Sequence, residues 1–133
     1  MKKIYLLLIL TSALLVAGCS QSDEDNIPPG EIPKPTFDAV IITSSGFSPS
    51  ELTIVAGRTV TWINKDTVEH WPASAIHPTH ALYPETGGCI GSKFDACQGL
   101  KQDEQWSFTF NQKGTWKYHD HLNLASTGTI VVE

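Results

Sequence analysis

The chain is short of positive charge, of thiols and of helical patterning, and each shortage removes a class of function. Nine Lys and Arg stand against 14 Asp and Glu, a formal net charge of −5. The one basic cluster is Lys2-Lys3 at the start, which argues against nucleic acid, or an anionic membrane surface held by charge, as a partner. Cysteine occurs three times, at positions 19, 89 and 97. No apolar run reaches the about 20 residues that a membrane-spanning helix needs. From residue 36 onward the 3.6-residue apolar period of an amphipathic helix is missing. No nucleophile stands beside a base: Ser44 and Ser45 have no adjacent histidine. Hydrolase chemistry is therefore not expected, and the reading leans away from an enzyme.

At the N-terminus, Met1-Lys2-Lys3 precedes an apolar stretch running from Ile4 to Ala17, the pattern of a secretory signal. It ends in Leu15-Val16-Ala17-Gly18-Cys19, which resembles the lipobox of bacterial lipoproteins. The resemblance implies cleavage after residue 18, acylation of Cys19, and attachment to the cell membrane or outer membrane on its extracytoplasmic side. The 133 residues less the first 18 leave 115, carrying 7 basic and 14 acidic side chains. Residues 20–35 are polar, acidic and proline-rich and read as a disordered tether. One domain remains, residues 36–133, large enough for a modest core.

Outside the cytoplasm, Cys89 and Cys97 are expected to form a disulfide. The C-x₇-C spacing is not that of a metal knuckle, although a thiolate metal pair is the functional alternative. Short β-branched segments separated by turn residues predict about seven strands: 37–43, 51–55, 59–64, a start at 70–73, 105–110, 115–119 and 129–132. Gly46 to Pro49 reads as a turn. Residues 75–103, with two prolines and four glycines, read as one long loop, a length that is usually functional or stapled. Trp62, Trp106 and Trp116 are expected in the core, and Trp71 either packs or shields a site.

Phe47-x-Pro49 followed by ELTIVAGRTVTWINKDTVEH resembles the opening of a cupredoxin, and GTWKYHDHLNLASTGTIVV resembles that family's last hairpin. The fold implied is an all-β, Greek-key β-sandwich of the plastocyanin and azurin type. His70 falls on the position of the first copper-ligand histidine. The ligand loop departs from the family: Asp120 stands in the cysteine position, Asn123 in the histidine position and Ser126 in the methionine position. A blue copper site needs a thiolate, so none is predicted.

Tyr118-His119-Asp120-His121 is similar instead to the Tyr-His-x-His segment of the first domain of multicopper oxidases, where both imidazoles bind copper. The partner motif there is His-Trp-His, and here His70-Trp71-Pro72 matches its first histidine. All five histidines lie at 70, 77, 80, 119 and 121. Imidazole suits Cu(II) and Zn(II) alike. His70, His80, His119 and His121 are the candidate ligands, with His77 and Asp120 as further ligands or outer partners. Asp120 reads either as a hard oxygen ligand or as an acceptor orienting an imidazole.

Strand alternation places Trp116, Tyr118 and Asp120 on one face and Lys117, His119 and His121 on the other. The two histidines then need a cover, from His77 or His80 on the long loop or from a second subunit in a homo-oligomer. If the strand breaks at Asp120, His121 turns toward His70. Three functions follow: a lipid-anchored module that holds or hands over copper, with Cu(II) favoured and zinc the other metal; a non-blue redox copper protein exchanging electrons with a partner; or a structural domain with a vestigial site.

Overall fold

The structure, a computed structural model, describes residues 38–133. The expected secretory signal, the expected acylation site Cys19 and the expected tether lie outside the described residues. Among the described residues there are eight strands: β1 (Asp38–Thr43), β2 (Gly46–Ser48), β3 (Glu51–Ile54), β4 (Arg58–Asn64), β5 (Pro72–Ser74), β6 (Gln105–Phe110), β7 (Gly114–Asp120) and β8 (Asn123–Val132). They make two four-stranded sheets, ordered β2-β1-β4-β6 and β3-β8-β7-β5. The β1–β4 and β3–β8 pairs are parallel and the rest antiparallel.

Period-two patterning decides which side chains enter the sandwich. Val40 and Ile42 from β1, Val60 and Trp62 from β4, Tyr118 from β7, and Ile130 and Val132 from β8 all point inward and are buried. Trp62 is fully enclosed, with Trp106, Phe94, Tyr118 and Phe110 rings at centroid distances of 5.2, 5.4, 5.5 and 6.2 Å. Trp106 and Trp116 pack against this cluster while partly exposed. Gly128 is paired with Tyr118 across β7 and β8, and any Cβ there would run into the tyrosine ring. That position must stay small for the β7 end to lie flat.

Two differences from the sequence reading have simple causes. Gly46–Ser48 is a strand, because Phe47 is buried and pairs with Ile42 across a tight turn; three residues are too few to show alternation. The last strand starts at Asn123 rather than Thr129; its first five residues are mostly solvent-exposed and show no apolar alternation. They are held by pairing to β7, which no apolar period announces.

The long connection between β5 and β6 is ordered by tertiary contacts. Tyr83, Phe94, Ala96 and Leu100 are buried, and Phe94 sits in the aromatic core between Trp62 and Phe108. The Tyr83 hydroxyl accepts from the backbone N–H groups of Asn111 and Gln112 at 3.1 and 3.3 Å. Cys89 and Cys97 are joined as a disulfide. The loop is therefore held against the sandwich from Tyr83 onward, and its first residues carry His77 and His80 to the outer face of β7.

Candidate metal centre

Two polar constellations meet at the end of β7, one on each face of the strand. The inward face carries Asp120, fully buried. Its Oδ2 is 2.7 Å from His70 Nδ1, and its Oδ1 accepts from the backbone N–H groups of Trp71 and Leu122 at 2.8 and 3.0 Å. His70 is itself buried, and its Nε2 lies 3.1 Å from Asp66 Oδ2. The hydrogen bond from His70 holds the exposed-side Asp66 carboxyl below its ordinary range, helped by the Thr67 backbone N–H. The approach to His70 is shaped by Asn64, whose Nδ2 donates to the carbonyls of Val68 and Leu100 at 2.7 and 2.8 Å. The positions that the cupredoxin resemblance assigns to the first histidine ligand and the cysteine are thus bound directly to each other.

The outward face carries the histidines. His77, His80, His119 and His121 each present one ring nitrogen within 4.8 Å of those of the other three. Their rings approach to centroid distances of 4.8 Å for His77–His121 and His80–His121, and 5.0 Å for His80–His119. The register of β7 slips between His119 and Asp120, and Asp120 pairs with Asn123, leaving His121-Leu122 as a two-residue hairpin tip. His121, at this tip, lies on the same side as His119. The His121 N–H donates to the Trp71 carbonyl at 2.8 Å, and its ring packs on the Trp71 indole at 4.5 Å.

His80 is the most enclosed of the four. Its φ is +48°, a left-handed conformation uncommon outside glycine. It is held by His80 N–H donating to the Ile76 carbonyl and Ser92 N–H donating to the His80 carbonyl, both at 2.9 Å. Gly91 runs directly behind Thr79 and His80, where a Cβ would strike their carbonyls. The His80 Nδ1 lies 2.6 Å from Asp95 Oδ2, and its Nε2 lies 2.9 Å from His121 Nδ1. With Nδ1 donating to the carboxylate, Nε2 is left as an acceptor for the His121 proton.

His119 is 6% exposed, and its Nε2 is buried without a hydrogen-bond partner. Buried polar atoms almost always have partners, so an orphaned imidazole nitrogen among three others points to a missing cation. Burial, and then the nearby His80, His77 and His121, push the His119 pKa down to about 4. His121 is pushed down by burial first, and then by His80 and His77. Both imidazoles are accordingly held neutral, the form that binds metal. A first-row ion with metal–nitrogen distances of about 2.0–2.1 Å spaces its donors about 3–4 Å apart, so modest side-chain adjustment fits this set to one ion. A groove of about 520 Å³ opens beside it, lined in part by Ile76, His77, Lys117, His119 and Leu124.

The expected ligand set is thereby redrawn. His80, His119 and His121 come together, and His77 joins them from the loop. His70 stands apart because both its ring nitrogens face carboxylates. Asp120 orients an imidazole, that of His70, from the opposite face to the cluster. Asp95 was missed by sequence reasoning; its one signal is its place in Phe94-Asp95-Ala96-Cys97, next to a stapled cysteine.

The depressed His119 pKa has a consequence for the metal-free protein. Between about pH 6.5 and 4 the unfolded chain binds protons that the folded chain refuses, so stability rises with pH across that window. Above it the histidine is neutral in both states and contributes nothing to the pH dependence. The drop on acidification across the window is about 2–3 kcal/mol, with His121 adding in the same direction. Urea unfolding of the metal-free protein across this range should show it, and His119→Ala should flatten the curve. A stability level throughout the window would contradict the assignment.

The sandwich and its strand order make this chain a cupredoxin-like domain. Among characterised proteins it is similar to amicyanin of Paracoccus denitrificans, with 29% identity over 94 residues, 71% of this chain. The chain spans 63% of the length of that curated relative. Among solved structures it is similar to a Cu(I) form of an amicyanin variant, with TM-score 0.59, 27% identity, and 73% and 82% of the two chains covered. A purple cupredoxin from Nitrosopumilus maritimus shares the fold, with TM-score 0.59, 23% identity, and 72% and 99% covered. No protein-family model matches the chain.

Proposed function

We propose that this is an exported, lipid-anchored cupredoxin-like protein that binds copper through His77, His80, His119 and His121 and holds it or hands it to a partner outside the cytoplasm. The observation that carries the reading is the convergence of four imidazoles, each offering a ring nitrogen within 4.8 Å of the others', one of them His119, whose Nε2 is buried and unpartnered. Export and anchoring rest on the lipobox resemblance at Leu15 to Cys19. The similarity to amicyanin, solved with Cu(I), favours copper over zinc, since the donor set alone suits either. All-imidazole ligation without thiolate favours Cu(II) and a non-blue centre, and the disulfide withdraws Cys89 and Cys97 as ligands.

When bound, copper supplies a positive centre that takes the imidazole lone pairs, and a one-electron couple. The chain's own residues do the rest. His80 keeps its proton on Nδ1 against Asp95 and offers Nε2. His121 gives up the hydrogen bond between its Nδ1 and His80, and can carry its proton on Nε2 instead. His119 supplies a nitrogen that water does not reach. His77, the exposed member, sits at the mouth of the groove, where an incoming acceptor would first compete for the ion. A second reading, a redox centre exchanging electrons with a protein partner, draws on the shared amicyanin fold and uses the same four residues.

Equilibrium dialysis of the metal-free full chain against Cu(II), and separately Zn(II), tests the proposal. One copper per chain is expected, lost when the four histidines are replaced together by Ala. Uptake unchanged in that variant would refute it.

A further inference from the structure

Asp95 lies behind the cluster with its side chain fully shielded from solvent, as is that of His80. Both carboxylate oxygens are engaged. Oδ2 receives His80 Nδ1 at 2.6 Å. Oδ1 accepts from the Trp71 indole N–H at 2.6 Å and from the Cys97 backbone N–H at 2.8 Å. Those two groups can only donate, so the carboxylate's polarity is fixed from behind, and the imidazole in front must present its N–H to it.

The backbone around Asp95 is equally constrained. Asp95 bridges Ala73 of β5, the Ser74 N–H donates to the Phe94 carbonyl at 2.8 Å, and the Ala96 N–H donates to the Pro72 carbonyl at 3.0 Å. Phe94 on one side is anchored in the aromatic core and Ala96 on the other is buried. Cys97, at φ +64°, is tied to Cys89 by the disulfide two residues beyond the carboxylate. A nine-residue stapled segment thus ends in one buried acid aimed at one histidine.

We propose that Asp95 is the positioning residue of the histidine cluster: it fixes the tautomer and ring orientation of His80, and Trp71 and the Cys89–Cys97 disulfide brace it for that role. The inference rests on the four-histidine reading above. A carboxylate behind a metal-bound imidazole raises the ligand's basicity and locks its direction, and losing one commonly lowers metal affinity 10–100-fold. Asn in its place can accept at one oxygen only, so it fails either His80 or the Trp71–Cys97 pair. Trp71 does double duty, packing on His121 while holding Asp95.

The test measures Cu(II) affinity by chelator competition, and the Cu(II) spin-resonance spectrum, for the full chain in detergent. The variants are Asp95→Asn, Trp71→Phe, His80→Ala and the Asp95→Asn/His80→Ala double. Asp95→Asn should lower affinity about 10–100-fold and shift the copper hyperfine pattern. In the His80→Ala background the same change should cost nothing further, because Asp95 acts through His80. Trp71→Phe keeps the ring but drops one donor, and should lower affinity several-fold in a protein that folds normally; it carries the test if Asp95→Asn does not fold. Unchanged affinity and spectrum in the Asp95 and Trp71 variants would overturn the proposal, as would an equal Asp95→Asn penalty with and without His80. A wild-type chain that takes up no copper would instead refute the four-histidine reading itself.

Discussion

Replacing His119 by Ala should lower copper affinity by at least about 100-fold, beyond the 10–100-fold typical of losing an outer partner, while leaving the metal-free fold nearly as stable as before. The two halves of this expectation have separate physical roots. For the ion, His119 is a buried donor of the set, its ring 5.0 Å from His80 and 5.5 Å from His77. For the fold, its imidazole is a burden. Its Nε2 is buried without a partner, and an unmade hydrogen bond at a buried group costs about 1–3 kcal/mol. Removing the ring relieves that cost and loses some packing, so the two changes partly cancel. Competition with a chelator gives the first quantity and chemical unfolding of the metal-free protein the second. A variant that binds copper as wild type does would remove His119 from the site.

Replacing His70 by Ala should do the reverse. Asp120 is fully buried, and His70 is its side-chain partner at 2.7 Å. Removing one member of a buried pair leaves an uncompensated charge and typically costs about 3–5 kcal/mol. The two backbone N–H groups at Oδ1 soften this without replacing the lost contact at Oδ2. His70→Gln, which can still donate to Asp120, should recover part of the loss. Copper affinity should change by less than about tenfold, under 1.4 kcal/mol, because His70 faces carboxylates on the inner side of β7. Thermal unfolding and a copper titration on the same two variants separate these effects. A stable His70→Ala protein that no longer binds copper would put the metal back where the family resemblance places it.

The contrast between these histidines shows what was legible in the chain. The sandwich could be read because β4, β6 and β7 largely alternate apolar and polar residues, β1 is a short apolar, β-branched run, and the turn residues between the strands are explicit. The outward direction of His119 and His121 followed from the same alternation. His70 was assigned by position in a resembling motif, and the motif's own departure, Asp120 for cysteine, is what redirects it. A thiolate would share a metal with that histidine; a carboxylate binds it through a proton.

The long loop was the least legible part, and most of the site depends on it. Its order comes from Phe94 and Tyr83 entering the core and from the disulfide, which are contacts between residues far apart in sequence. No local period encodes them. His77 could not be ranked above His70, nor Asp95 noticed, without knowing where that loop lies. The slip in register between His119 and Asp120 is likewise written in no local period, although alternation already sets Asp120 inward and His119 and His121 outward.

The central claim is that the chain keeps the cupredoxin sandwich but has moved its metal from the inner end of the ligand loop to the outer face of β7. Spin resonance on the Cu(II)-loaded full chain, with nitrogen couplings resolved, tests this most directly when run on wild type and His70→Ala side by side. The account predicts coupling to imidazole nitrogens only, no intense thiolate-to-copper visible band, and the same spectrum in both proteins. A thiolate band, or a spectrum that collapses when His70 is removed, would contradict it.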